Sequence, residues 1–353
     1  MDRCDLAASV SETSASPIAA RALRHPKFLR MGALAILALL AAPHGIEAHE
    51  SKKIPRLCFL TFDPGTLESR SPRFDTFFGR LRELGYVNGQ TITIDYLSAE
   101  GHNDRFPGLA AECVRLNADV IAVSTTPGAK AAKNATRTIP IVMLALGDPV
   151  GAGLVANFGR PEANITGMMQ MTTELAPKRL ELLKEAAPQI SRVLVLSSLI
   201  DPIGSLQVQS LEAAAPALGT TLYVRDIRSA DDLPGAFEAG AREGAQGVLV
   251  DAESIFFVNR ARLAEFVARY RLPAIFPYPP TQGEGLMAYY VHEPDLHWNA
   301  AGYVDRLLKG AKPSELPLQG PMSPRLVINL KAAAELGITV PDSLIGRADQ
   351  LIE

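Results

Sequence analysis

Short apolar runs alternate with amphipathic stretches along most of this chain, and the alternation is stated twice in the same order. The first statement runs through "PRLCFLTF", "QTITIDYL", "DVIAVS" and "IPIVMLAL", with "RFDTFFGRLRELGY" and "RFPGLAAECVRL" between them. Continuous apolar runs of this length, separated by helix-period segments, predict parallel strands joined by crossover helices. The second statement begins at "SRVLVLSS" and continues through "LQVQSLEAAAPALG", "TTLYVRDI", "DDLPGAFEAGAREG" and "QGVLVDAE". Even the punctuation repeats. Leu84-Gly85 and Leu218-Gly219 close the first helix of each copy, and Pro107-Gly108 and Pro234-Gly235 sit early in the second. Glycine just past a helix supplies a left-handed cap, and proline in a first turn loses no hydrogen bond. Two similar α/β lobes follow.

The remaining sequence is surplus to a second lobe. After "RLPAIFPYP" come the strand-like "GLMAYYV", the helical "WNAAGYVDRLLKG", the proline-rich "AKPSELPLQGPMSP", the strand-like "RLVINL" and a final helix pair. A chain that crosses back to the first lobe and returns accounts for all of it. The expected division is 54–167 with 291–316 in one Rossmann-like parallel-sheet lobe, and 168–290 with 317–353 in the other, joined by a three-crossing hinge. The length of 353 residues and the 47% hydrophobic content suit two ordinary cores, and a net charge of only −3 gives no basic excess for nucleic acid.

The N-terminus reads as an address. Arg21, Arg24, His25, Lys27 and Arg30 precede the apolar run "MGALAILALLAA", and Ala48 is a small residue suited to a cleavage site, the pattern of a secretory signal peptide. About a dozen apolar residues fall short of the ~20 that span a bilayer. The mature chain is expected to begin near His49, and residues 1–48 are set aside as a leader.

Cysteine spacing suggests neither a metal site nor a disulfide framework. Cys58 lies in an expected strand and Cys113 in an expected helix, so both read as small core residues. Enzyme motifs are weak. "GAGLVA" lacks the third glycine of a dinucleotide fingerprint, and there is no phosphate-binding loop and no G-x-S-x-G. His292 and His297 are spaced i,i+5 and do not share a helix face. No cofactor, metal or catalytic residue is expected.

Several stretches resemble the ABC transporter substrate-binding proteins of the type I periplasmic-binding-protein fold, in the TrpX-like branch of tryptophan and tyrosine binders. They are "LRELGYVNGQTITIDY", "AEGHNDRFPGLAAECVRLNADVIAVSTTPGAKAAKNAT", "IPIVMLALGDPVGAGLV" with "NITGM", "KRLELLKEAAP" and "LVINLKAAAELGITVPDSL". The resemblance covers essentially the whole mature chain. It implies a non-enzymatic, extracytoplasmic protein that captures a small molecule between its lobes and passes it to a membrane permease whose ATPase lies on other chains. An extracytoplasmic sensor of the same fold is the alternative. The sequence departs from the family at "SSLIDPIG", and at "YPPTQGEGLMAYYVHEPD", where Tyr-Tyr-Val replaces a common Ser-Tyr-Gly; both lie near the expected cleft.

In open α/β sheets, ligands bind outside the carboxyl ends of the strands. "VIAVS" stops at Thr125, Thr126, Pro127 and Gly128, where a helix N-terminus and two hydroxyls could hold an anion such as an amino-acid carboxylate. Alternatively, the threonines only cap the helix. Asp148, after the next strand, could accept from a ligand ammonium or hydroxyl, or equally N-cap the helix expected to follow. The same positional logic nominates Phe62 and Asp63, Ser197 and Ser198, and Asp251 and Glu253. Tyr278, Tyr289 and Tyr290 fall at expected crossings, where an aromatic face could stack on a planar ligand.

Overall fold

The computed structural model describes residues 53–159, 164–280, 285–320 and 323–353, so the leader lies outside the described residues. The first sheet is built from β1 (Arg56–Thr61), β2 (Thr93–Ser98), β3 (Val120–Val123), β4 (Ile141–Leu146) and β5 (Ile165–Met169). Its helices are α1 (Asp75–Glu83), α2 (Phe106–Arg115) and α3 (Thr126–Ala135). All strand pairs are parallel, in the order β2-β1-β3-β4-β5. Every residue of β3 is buried and β1 is buried after its first residue. Strands apolar on both faces require a helix layer on each side, which is why these runs do not alternate polar and apolar. β5 lacks the long apolar run that marks its neighbours; Gly167 within it has φ +134°, and a Cβ there would overlap the Met143 backbone of β4.

The chain then builds α4 (Thr172–Ala186), β6 (Arg192–Ser197), α5 (Pro202–Ala214), β7 (Thr221–Asp226), α6 (Leu233–Arg242) and β8 (Gly247–Val250). Next come α7 (Ser254–Val258), α8 (Arg260–Tyr270), β9 (Ala274–Phe276) and β10 (Met287–Val291). At His292 it leaves the second sheet. The helix α9 (Glu293–Leu308) packs Leu296, Ala300, Ala301, Val304 and Leu307 into the core of the first lobe, with Leu57, Phe59, Val142 and Leu144. The chain returns past Gln319, which bridges Met168, to form β11 (Pro324–Asn329), α10 (Leu330–Leu336), α11 (Asp342–Ile345) and β12 (Gln350–Ile352). The links after β5, after β10 and before β11 are the three crossings of a type I periplasmic-binding fold.

The second sheet has the order β12-β11-β10-β9-β8-β6-β7, and it is not wholly parallel as the sequence suggests. β10 and β11 pair antiparallel, because β11 enters from the hinge after the third crossing while β10 leaves toward it. The terminal β12 was not foreseen. It is three mostly exposed residues on the sheet edge, too short for a periodic signal.

The reading of the cysteines is corrected. Cys58 in β1 and Cys113 in α2 form a disulfide, with Cα atoms 5.7 Å apart and 55 residues between them in sequence. Both are fully buried. The α2 crossover lies on the face to which Cys58 points, a juxtaposition that exists only once the βαβ unit is formed.

Candidate functional site

The carboxyl ends of both sheets face one crevice. On the first-lobe side, β3 is followed by Ser124, whose hydroxyl donates to Thr61 Oγ1 at 3.1 Å. Thr125 is extended (φ −140°, ψ 154°) and its Oγ1 accepts from Gly128 N at 3.2 Å, which makes it the N-cap of α3. Thr126 opens the helix, and both threonines line the central hollow. Gly128 turns inward, where a Cβ would press on the Phe106 ring.

The second-lobe wall is acidic. Glu253 precedes α7 but does not cap it; its carboxylate turns back to accept from Ser198 N at 3.3 Å, Ser197 Oγ at 3.5 Å and Gln207 Nε2 at 3.5 Å. Gly204 of α5 leaves room for it, since a Cβ there would collide with Glu253 Oε1. Asp201 caps α5 by accepting from Ile203 N at 3.0 Å and faces the same hollow. Behind Glu253, Asp251 is fully buried near Arg179, whose Nε donates to the Tyr289 carbonyl at 3.1 Å. Burial pushes Asp251 up to about 7 against the opposing pull of Ser197 and Arg179. Burial, then Asp251 and Asp201, push Glu253 well above the carboxylate range. Burial takes Asp201 to about 6, opposed by the Ile203 amide and Lys130. Among the described residues no cation lies within hydrogen-bond distance of Glu253, and the field of Arg179 does not offset its burial.

The hinge side adds residues that strand-end logic does not reach. Arg73 lies just before α1, with its guanidinium over the Phe74 ring at 4.7 Å and over Phe257 of the second lobe at 4.8 Å. Its Nε is 3.6 Å from Asp63 Oδ2. Gln170 Nε2 donates to Glu293 Oε1 at 2.7 Å. Burial raises Glu293, but Arg73, His297 and the Gln170 hydrogen bond outweigh it and hold the carboxyl below its usual range. Burial likewise disfavours the Arg73 charge, and Asp63, Glu293 and Tyr96 more than restore it.

Of the residues nominated from sequence, Thr125, Thr126, Glu253 and Tyr278 line the central hollow together with Arg73, Gln170, Asp201, Ile203, Phe257 and Glu293. Phe62, Pro127 and Ser198 line a second hollow with His102, Ile200 and Arg228. Asp63, Ser197 and Asp251 stand one layer behind the walls. Asp148 accepts from Gly151 N at 2.8 Å and holds its own turn. Tyr289 borders a separate surface hollow with Leu326 and Arg347, and Tyr290 is core. Among the described residues no group of His, Cys, Asp and Glu could hold a metal ion, and no helix is long and apolar enough to cross a membrane.

The model of the ABC transporter substrate binding protein family matches residues 68–352. The chain belongs to that family. Such proteins are extracytoplasmic and bind solutes rather than transform them. A tyrosine-binding protein of Clostridioides difficile is 26% identical over 255 residues, 72% of this chain and 73% of its own. A solved domain from Streptococcus pneumoniae in complex with L-Trp is 25% identical, with a TM-score of 0.75 over 84% of this chain and 99% of that one. A conserved domain protein from Vibrio cholerae is 25% identical, with a TM-score of 0.74 over 85% and 100%.

Proposed function

We propose that this protein captures a zwitterionic small molecule, an amino acid or close analogue, by closing its lobes on the crevice, and delivers it to a membrane permease whose ATPase lies on other chains. The observation that carries the reading is the polarity of the hollow. One wall offers hydroxyls and a ten-residue helix N-terminus, which favour a carboxylate; the other offers Glu253 and Asp201, which favour an ammonium. A ligand ammonium would supply the charge that Glu253 lacks and lower its proton affinity.

Hinge motion follows from the size of the hollow. It has a volume of about 60 Å³, room for a few waters, and residues of both lobes meet across it, with Arg73 over Phe257. A solute of amino-acid size therefore needs the lobes to part before it enters. Export of the mature chain after removal of residues 1–48 completes the proposal. The Cys58–Cys113 disulfide supports it, because such bonds persist in oxidising compartments outside the cytoplasm. The test is native mass spectrometry of the mature protein purified from its own envelope fraction. A bound amino acid or analogue is the expected result; absence of any small molecule after gentle purification, with no compaction on addition of candidate solutes, would count against solute capture.

A further inference from the structure

Arg73 is a buried cation whose side chain makes no hydrogen bond among the described residues. Its side chain is 9% exposed, its Nε is sealed from solvent with no acceptor, and among the described residues its guanidinium donates to nothing. Arginines at this depth ordinarily place most of their five N–H groups on acceptors. Here the nearby Asp63 oxygens are also without hydrogen-bond partners, so the two groups balance in charge while leaving their directional capacity unused. The Phe74 and Phe257 rings lie against the guanidinium at 4.7 and 4.8 Å, contacts that use none of its N–H donors, so its donor edge is left for a group in the central hollow that Arg73 lines.

What fits that edge is set by shape and charge. A guanidinium fork matches two oxygens in one plane, as a carboxylate presents them. Glu293, the other acid whose charge acts on Arg73, has Oε1 engaged by Gln170 at 2.7 Å. The N-terminus of α3 adds positive potential on the same side, through Thr126 and its neighbours. We propose that Arg73 anchors the ligand carboxylate and, by stacking on Phe257 of the opposite lobe, ties that contact to closure. The proposal rests on solute capture in this crevice and goes beyond it by naming the anchor. Thr125, already the cap of α3, becomes a secondary contact. Arg73 has no sequence signal of its own: it follows a proline in an exposed-looking loop, and Phe257 lies far along the chain.

The experiment measures discrimination rather than affinity alone, so that a loss of stability does not imitate the effect. Thermal-shift screening of the mature protein uses the twenty standard L-amino acids, benzoate and succinate in one arm, and ribose, glucose, tryptamine and tyramine in the other. For the best carboxylate and its carboxamide, calorimetric titration then compares wild type, Arg73→Gln and Arg73→Lys. The wild type is expected to prefer the acid over the amide by roughly 10- to 100-fold, the scale of one or two charge-assisted hydrogen bonds, and Arg73→Gln to lose that preference. Arg73→Lys keeps the charge without the fork and retains part of it; should Arg73→Gln not fold, this variant carries the comparison. Unchanged discrimination in both variants overturns the anchor. Stabilisation by the sugars or amines alone also overturns it, while leaving solute capture standing, and a carboxylate arm with no response at all counts against it equally.

Discussion

Thr125 and Thr126 are adjacent but have different duties. Thr125 Oγ1 closes the first turn of α3, so Thr125→Val should lower stability by about 1 kcal/mol, read in denaturant or thermal unfolding of the ligand-free protein. Thr126 is buried at the cleft and its side chain does not cap the helix, so the near-isosteric Thr126→Val should leave stability within about 0.5 kcal/mol. If its hydroxyl meets the ligand, affinity falls about tenfold, the value of one modest hydrogen bond. An equal loss of stability in both variants would assign both threonines to the helix alone.

Behind the opposite wall, Asp251 makes the ligand-free protein sensitive to pH. Its folded pKa is raised to about 7, whereas an unfolded Asp titrates near 3.9. Between those values the folded state binds the proton more tightly, so stability rises as pH falls from 8 toward 5; Glu253 acts in the same direction. Melting temperature should therefore be higher at pH 5.5 than at pH 8, and Asp251→Asn should flatten the difference. A melting temperature that climbs with pH in the wild type would show that Arg179 holds Asp251 ionised. The strand-end positions of these groups were legible in the sequence. Their assignment to wall or second layer was not, because it depends on which side chain turns back, as Glu253 does over Gly204.

The strands and helices with continuous apolar runs or full amphipathic periods were legible nearly throughout, from β1 to α6. Those defined by their partners were not. β5 needs a glycine to pass the backbone of β4, and the direction of β11 is set by the crossing that precedes it. The disulfide belongs to the same class, since nothing in a spacing of 55 residues announces that β1 and α2 meet side chain to side chain. Closing a loop of that length in the unfolded chain should contribute about 2–4 kcal/mol. Cys58→Ser with Cys113→Ser should lower the unfolding free energy by that amount while leaving ligand affinity unchanged, because the bond lies in the α2 layer away from the crevice. Loss of affinity at preserved stability would place the bond in the binding mechanism.

Closure is a property of the whole chain. Among the described residues the lobes share no sheet; they are joined by the three crossings and meet across the crevice through contacts such as Arg73 on Phe257. Beyond that pair, α3 packs against α5 and apolar residues of both lobes share one cluster, so closure has a favourable part before any solute binds, and open and closed forms should both be populated without it. A solute that bridges Thr126 and Arg73 on one side to Glu253 on the other acts only on the closed form, which is the differential affinity that shifts such an equilibrium. Small-angle scattering of the stripped protein should accordingly give a larger radius of gyration than this structure, and saturating ligand should bring it down to the value computed for these lobes in contact. The same ligand at 100 times its Kd should add about 2.7 kcal/mol to the unfolding free energy. Phe257→Leu separates the two effects, since it removes the ring that Arg73 meets without touching the polar contacts. Compaction should then need more ligand, while a profile identical to that of the wild type at every concentration would mean that the ligand, not the stacked pair, holds the lobes together.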